Sequence, residues 1–128
     1  SVAEGVEGKI IYCIDDEKIK KSKLKGMSTK NIRSVSVNEM DGTKIVRLET
    51  DKYRSDWISV TGVVTDEEGK TIAATVLVKG TNDYTVADAD GRFNLKAPKN
   101  GILRIADVNK SVAEVKVKPM LKVVLKDK

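Results

Sequence analysis

The chain has 128 residues and a formal net charge of +5, room for one average domain or two small ones. It contains no histidine and one cysteine, which removes the commonest general base, Ser-His triads, internal disulfides and four-thiolate zinc sites. No apolar run of about 18 residues offers a membrane span, and no basic-then-apolar leader opens the sequence.

Residues 10–14, Ile-Ile-Tyr-Cys-Ile, are apolar on both faces, the pattern of a central strand covered on both sides. Within it Cys13 reads as a small buried hydrophobe, with no cation in evidence to activate a thiolate. Residues 17–25 read as a short helix with Ile19 and Leu24 inward. Its five lysines, from Lys18 to Lys25, would coat the solvent side. Asp15, Asp16 and Glu17 sit directly upstream, no aromatics are interleaved and arginine is scarce, so this is a solvated face and no nucleic-acid footprint. A turn follows near Ser28 and Asn31. Residues 33–37 alternate, with Val35 and Val37 expected inward and Ser34 and Ser36 outward. Asp41-Gly42 is a strong hairpin signal, because both residues tolerate positive φ. Residues 44–50 return as a strand with Val46 and Leu48 on one face. The first part therefore reads β-α-β-β, and the polar stretch 51–56, DKYRSD, reads as a linker.

From Trp57 onward the strands come close together, near 57–65, 72–79, 84–88, 92–97, 102–107, 112–117 and 120–126. Turn chemistry separates nearly every pair, at Glu68-Gly69, Asn82-Asp83, Asp90-Gly91, Asn100-Gly101 and Asn109-Lys110. Leu121, Val123 and Leu125 are expected inward, Lys122 and Lys126 outward. Gly62, inside the first of these strands, marks a bulge or a close approach. With an aromatic content of 4%, valine and isoleucine must fill the core, and β-branched residues suit pleated sheets. Short strands with turns about every ten residues form the pattern of a β-sandwich. The fold class is thus mainly β with some α: a small βαββ module over residues 1–56, linker included, followed by a seven-stranded antiparallel β-sandwich over residues 57–128.

The stretch VTGVVTDEEGKTIAATVLVKGTNDYTVADADGRFNLKAP resembles the carboxypeptidase-regulatory-like domain, a transthyretin-like sandwich found in many bacterial envelope proteins. The likeness lies in G-V-V-T-D-x-x-G-K, a valine-rich strand, K-G-T, and T-x-x-D-x-D-G-x-F, and covers residues 58–126. In that frame the D-E-E-G turn closes the first hairpin, Asp90-Gly91 closes the next, and Phe93 enters the core directly after it. IADVNKS stands where the family usually carries an aromatic and a Gly-Tyr pair. Residues 9–51 are similar to the plug-type segment of TonB-dependent outer-membrane transporters. There a strand ends in I-D-G, a variable helix follows, then I-x-S-I/V-x-V, and finally a strand like V-x-L-x-T. Asp15 matches the family's aspartate, and Asp16 replaces its glycine. The two segments stand in the reverse of their order in starch-utilisation transporters, and no barrel follows in this sequence. The resemblance implies an exported protein or fragment built from the same modules: periplasmic, outer-membrane-associated or secreted by a Gram-negative bacterium. The opening SVAEGVE, poor in strand pattern, suits a piece of a longer chain.

Asp88, Asp90 and Gly91 resemble part of a calcium loop, but that register puts Val86 at the first ligand position and Ala97 at the twelfth, where a bidentate glutamate belongs. A hairpin turn is the better reading. Asp15, Asp16 and Glu17 form one acidic cluster without a second converging group, better explained as a strand-end turn or helix N-terminal charge. No glycine-rich phosphate loop is present. No catalytic, cofactor-binding or metal-ligating residue is therefore expected. The leading expectation is a non-enzymatic envelope module that docks a protein partner, linked to nutrient or glycan uptake. One alternative is a regulatory or sensory fragment of a larger envelope peptidase or TonB-dependent transporter. Another is a carbohydrate-binding sandwich, with Tyr53, Trp57 and Tyr84 as the aromatic candidates. Trp57, where linker becomes sandwich, is expected either to join the two modules or to serve as ordinary core.

Overall fold

A computed structural model describes residues 8–128, so the expectation for SVAEGVE lies outside the described residues. The chain divides into two compact units, one ending at Ser55 and the other spanning Asp56–Lys128.

In the first unit β1 (Lys9–Ile14), β2 (Glu17–Ile19), β3 (Ile32–Met40) and β4 (Thr43–Thr50) form one sheet in the order β2-β1-β4-β3. β1 runs parallel to β4, and the other two pairs are antiparallel. β1 is central and buries Cys13 as expected, but it is not covered on both sides, since Ile10 on its other face is 49% exposed. Asp41 and Gly42 close the β3–β4 hairpin with φ of 53° and 80°, the doubly left-handed turn that matches strand twist.

Three further expectations for this unit need correction. No α-helix forms over residues 17–25: β2 folds back on β1, and Lys21–Leu24 makes one 3₁₀ turn. Nine residues are too few for a helix without tertiary support. Lys18, Lys21 and Lys25 would repel at i,i+3 and i,i+4 spacing, and Ile19 is β-branched. Asp15, with a φ of 53°, reverses the chain before a helix can begin.

The inward placement of Val35 and Val37 on β3 is also not met, although Ser34 is exposed as expected. Val35 and Val37 are 60% and 53% exposed, whereas Ser34 and Ser36 pair in register with Glu49 and Arg47, both buried. Buried charges need polar neighbours, and Ser34 Oγ donates to Glu49 Oε1 at 3.3 Å. Finally, residues 51–56 are not a free linker. Tyr53 is buried, with the Arg47 and Arg54 guanidinium groups 5.4 and 4.6 Å from its ring centroid; the Arg47 cation–π contact ties Tyr53 to β4, and the division between the units falls at Ser55/Asp56 within the stretch.

In the second unit β5 (Ile58–Asp66), β8 (Arg92–Ala97) and β11 (Met120–Leu125) form a sheet ordered β11-β5-β8. β6 (Thr75–Val78), β7 (Tyr84–Val86), β9 (Ile102–Ala106) and β10 (Ala113–Lys116) form another, ordered β10-β9-β6-β7. The result is sandwich-like, but not wholly antiparallel: β11 runs parallel to β5. The link after β10 carries the chain from one sheet to the other, and only a hairpin would have imposed antiparallel pairing. Each sheet buries one face. Val60, Val64, Phe93, Ala97, Val123 and Leu125 of the smaller sheet, and Val76, Val78, Leu103 and Ile105 of the larger, are at most 3% exposed. Gly62 is a close approach and no bulge, since register runs through it unbroken and a Cβ there would collide with the Phe93 ring.

Asp66 and Asp88 use one device twice. Asp66 Oδ1 accepts the N–H groups of Glu68 and Lys70 at 2.8 and 2.9 Å, and Asp88 Oδ1 accepts those of Asp90 and Arg92 at 2.9 Å each. The Lys70 backbone bond, followed by that from Glu68, holds the Asp66 carboxyl below the usual carboxylate range. A lowered folded pKa gives stability that is present above about pH 4 and lost as pH falls through the folded value. Asp66→Asn keeps an acceptor oxygen without the charge and is expected to flatten that part of the acid unfolding profile; an unaltered profile would uncouple this carboxylate from folding.

Candidate functional site

In the first unit one member of the acidic cluster, Asp15, does structural work, while Asp16 and Glu17 are exposed. Asp15 Oδ1 accepts the Thr50 N–H at 2.8 Å, Oδ2 accepts the Thr50 hydroxyl at 2.6 Å, and its carbonyl accepts Arg47 Nε at 2.8 Å. The aspartate thus brackets the β1–β2 turn to the end of β4. Because Asp15 itself takes the left-handed conformation, the next position does not require glycine.

Cys13 stands opposite Arg47 in register. Burial pushes its thiol above the ordinary 9.0, against a downward pull from Arg47, so at neutral pH it stays protonated and unreactive. Burial likewise raises the Tyr53 hydroxyl above its ordinary range. Both groups hold their protons more tightly folded than unfolded, so their contribution is intact below about pH 9 and is lost as pH rises. Tyr53→Phe is expected to reduce the alkaline slope in a pH series of urea unfolding, with Cys13→Ser as the companion variant. An unchanged slope in both would show that neither group is linked to folding.

The five lysines from Lys18 to Lys25 are exposed. On the other side of the sheet from Cys13 and Arg47, Ile10, Val35 and Val37 are 49–60% exposed beside half-buried Tyr12, Val46 and Leu48, an apolar face.

The two sheets of the second unit present very different outer faces. On the larger sheet, Lys79 Nζ and Arg104 Nε both meet the Glu114 carboxylate, at 2.8 and 3.2 Å, so two of its cations are engaged by a carboxylate on the sheet, while Lys116 is a further exposed cation on β10. On the smaller sheet the outward positions are Ser59, Thr61, Val63 and Thr65 on β5, Arg92, Asn94 and Lys96 on β8, and Met120, Lys122 and Val124 on β11. None is a carboxylate. Arg92, Val63 and Lys122 share one row across the three strands, and Asn94, Thr61 and Met120 share the next. An open trough of 510 Å³ lies over these rows, with Gly62 in its lining. Among the described residues no ion pair engages Arg92, Lys96 or Lys122. This surface was missed in the sequence, although R-x-N-x-K on β8 and M-x-K-x-V on β11 carry its signal.

Of the aromatic candidates for stacking a sugar, Tyr53 and Trp57 are buried and Tyr84 is 65% exposed on β7. Among the described residues no group of three or more His, Cys, Asp or Glu is placed to hold a metal, and no helix is long and apolar enough to cross a membrane.

No family model matches this chain. TonB-dependent receptor SusC of Bacteroides thetaiotaomicron is 38% identical to it over 71 residues, 55% of this chain and 7% of that receptor. The chain therefore spans a small fraction of the length of the curated relative it matches. Among solved structures, a chain of a type II Cohesin-X-Dockerin complex from Acetivibrio cellulolyticus aligns with a TM-score of 0.43 and 19% identity, covering 52% of this chain and 56% of that one. That likeness is too slight to bear on function.

Proposed function

We propose that the chain is a non-enzymatic module of the cell envelope that docks a protein partner and works alongside TonB-dependent transport. The observation that carries this reading is the 38% identity over 71 residues with a TonB-dependent receptor. The plug-type resemblance of residues 9–51 and the carboxypeptidase-regulatory-like resemblance of residues 58–126 favour the same setting, on the periplasmic side or at the outer membrane. Seven strands in two sheets support the transthyretin-like reading of the second unit, despite its parallel pair.

Binding is favoured over catalysis by how the reactive groups are used. The carboxylates of Asp15, Asp66 and Asp88 hold turns, and burial keeps the Cys13 thiol protonated. A protein partner is favoured over a glycan because, of the three aromatic candidates, only Tyr84 is exposed, while apolar Val35, Met120 and Val124 stand out in solvent. The test is fractionation of native cells after brief amine cross-linking: the chain is expected with the envelope, joined to a discrete protein. Recovery from the cytoplasm alone would overturn the reading.

A second reading, a regulatory fragment of a larger envelope receptor or peptidase, draws on the small share of the receptor's length that the chain matches. An immunoblot of native cells separates the two, with a band near 14.0 kDa for the separate module and a much larger one for the fragment.

A further inference from the structure

We infer that the outer face of the β11-β5-β8 sheet is a docking surface for an acidic segment of a partner protein lying extended across it. This inference rests on the docking reading and gives it a surface and a partner chemistry.

Charge complementarity carries the assignment. Lys79, Arg104, Arg54 and Lys110 each meet a carboxylate of their own unit. Arg92, Lys96 and Lys122 share a sheet face from which carboxylates are absent at every outward strand position. Those cations lie on paired strands whose register is fixed, unlike lysines on a loop. Arg92 and Lys122 flank Val63 in one row, which places their Cα atoms about 10 Å apart at ordinary strand spacing. Arg92 and Lys96 are four residues apart on β8, about 13 Å along the strand. An extended segment directs alternate side chains to one face, so carboxylates at i and i+4 span that same 13 Å or so, with one inward residue between them.

The trough supplies the place for that intervening residue. Val63 and Met120 line it, and Met120 is 79% exposed; methionine is a soft, adaptable contact for an apolar side chain. Thr61 and Asn94, in the row between the cations, offer a hydroxyl and an amide to the backbone of the segment. An anionic glycan would meet the same charges, but no aromatic ring is among the outward residues of this face to stack on a sugar.

The test titrates the full chain with fluorescein-labelled Glu-Ser-Leu-Ser-Glu-Ser-Leu-Ser-Glu, read by anisotropy at low and physiological salt. Saturable binding is expected that weakens as salt screens the charges over about 10 Å. Arg92→Glu/Lys122→Glu is expected to weaken it about tenfold or more, whereas Lys20→Glu/Lys23→Glu, equal in charge change, is expected to stay within about twofold. Met120→Ser, which leaves the charge intact, is expected to cost about two- to fivefold through lost apolar contact. Amide spectra of each variant report that it is folded. Equal losses from the two charge-reversal pairs, or no saturable binding, would overturn the assignment. So would a sulfated oligosaccharide of equal charge that binds this face more tightly than the peptide. Any of these outcomes, with cross-linking to an envelope protein intact, would remove this surface and leave the docking reading standing.

Discussion

Gly91→Val is expected to destabilise the second unit more than any substitution on its surface. Gly91 takes a φ of 75°, a conformation that costs a residue with a side chain about 1–2 kcal/mol. Its carbonyl accepts the Val64 N–H at 2.7 Å, and its own N–H reaches the Asp88 carbonyl at 2.8 Å. A Cβ would run into the Val64 carbonyl oxygen and stand 3.2 Å from the Thr71 Cβ. The obstacle is backbone in a central strand, which cannot swing aside, so strain of about 1–3 kcal/mol adds to the conformational cost. A unit of this size holds roughly 4–11 kcal/mol in all, and each kcal/mol lowers Tm by about 4–8 °C. Thermal unfolding followed by Trp57 emission should therefore shift down by roughly 8–40 °C. Gly69→Val is the control: its φ is 85°, but nothing lies within 4 Å of the added carbon. Equal shifts in the two variants would show that the collision contributes nothing.

Leu103→Ala is expected to cost about 2–5 kcal/mol. Leu103 is 0% exposed on β9, between β6 and β10, and pairs with Val78 and Val115. Valine is the commonest residue of the core, Ile105 is its one fully buried isoleucine, and Phe93 is its bulkiest member on the smaller sheet. Branched side chains held by strand geometry cannot collapse far into the space that leucine leaves, so the cavity persists and the cost sits in the upper part of that range. Val108→Ala, at a position 78% exposed, is expected within about 0.5 kcal/mol of the parent. Urea unfolding measures both; a Leu103→Ala cost under about 1 kcal/mol would mean that this core is loosely packed.

What the sequence revealed follows from which forces are local. Turn chemistry is local: Asp41-Gly42, Glu68-Gly69 and Asp90-Gly91 turn where they were expected, and Gly42, Gly69 and Gly91 have the required positive φ. Of the three, only Asp41-Gly42 joins two strands paired as a hairpin, because β5 and β6, like β7 and β8, lie in different sheets. Alternation is local too, and it placed Val123 and Leu125 in the core and Lys122 in solvent. The misreadings arose where a distant partner decides. Ser34 bonds to Glu49 on the neighbouring strand and Ser36 lies in register with buried Arg47, which leaves Val35 and Val37 on the exposed face of β3. Tyr53 is fixed by cation–π contacts, one of them six residues back, inside a stretch whose polarity resembles a linker. The 17–25 segment has helix-forming lysines, yet the Asp15 reversal and pairing of Glu17–Ile19 with β1 prevail. The cationic face exists only once β8, β5 and β11 lie side by side, with β11 parallel to β5, and no run of adjacent residues contains it.

The docking role itself is tested most directly by site-specific photo-cross-linking in intact native cells. A photoreactive amino acid is placed singly at Met120, Val124 or Val35, with Val108 as an exposed control outside both sheet faces; all four are more than 50% exposed. A docking module gives one discrete adduct, of the same partner mass, from at least one of the sheet-face positions and none from Val108. Adducts from all four positions alike, or from none, would contradict a protein-docking function for this chain.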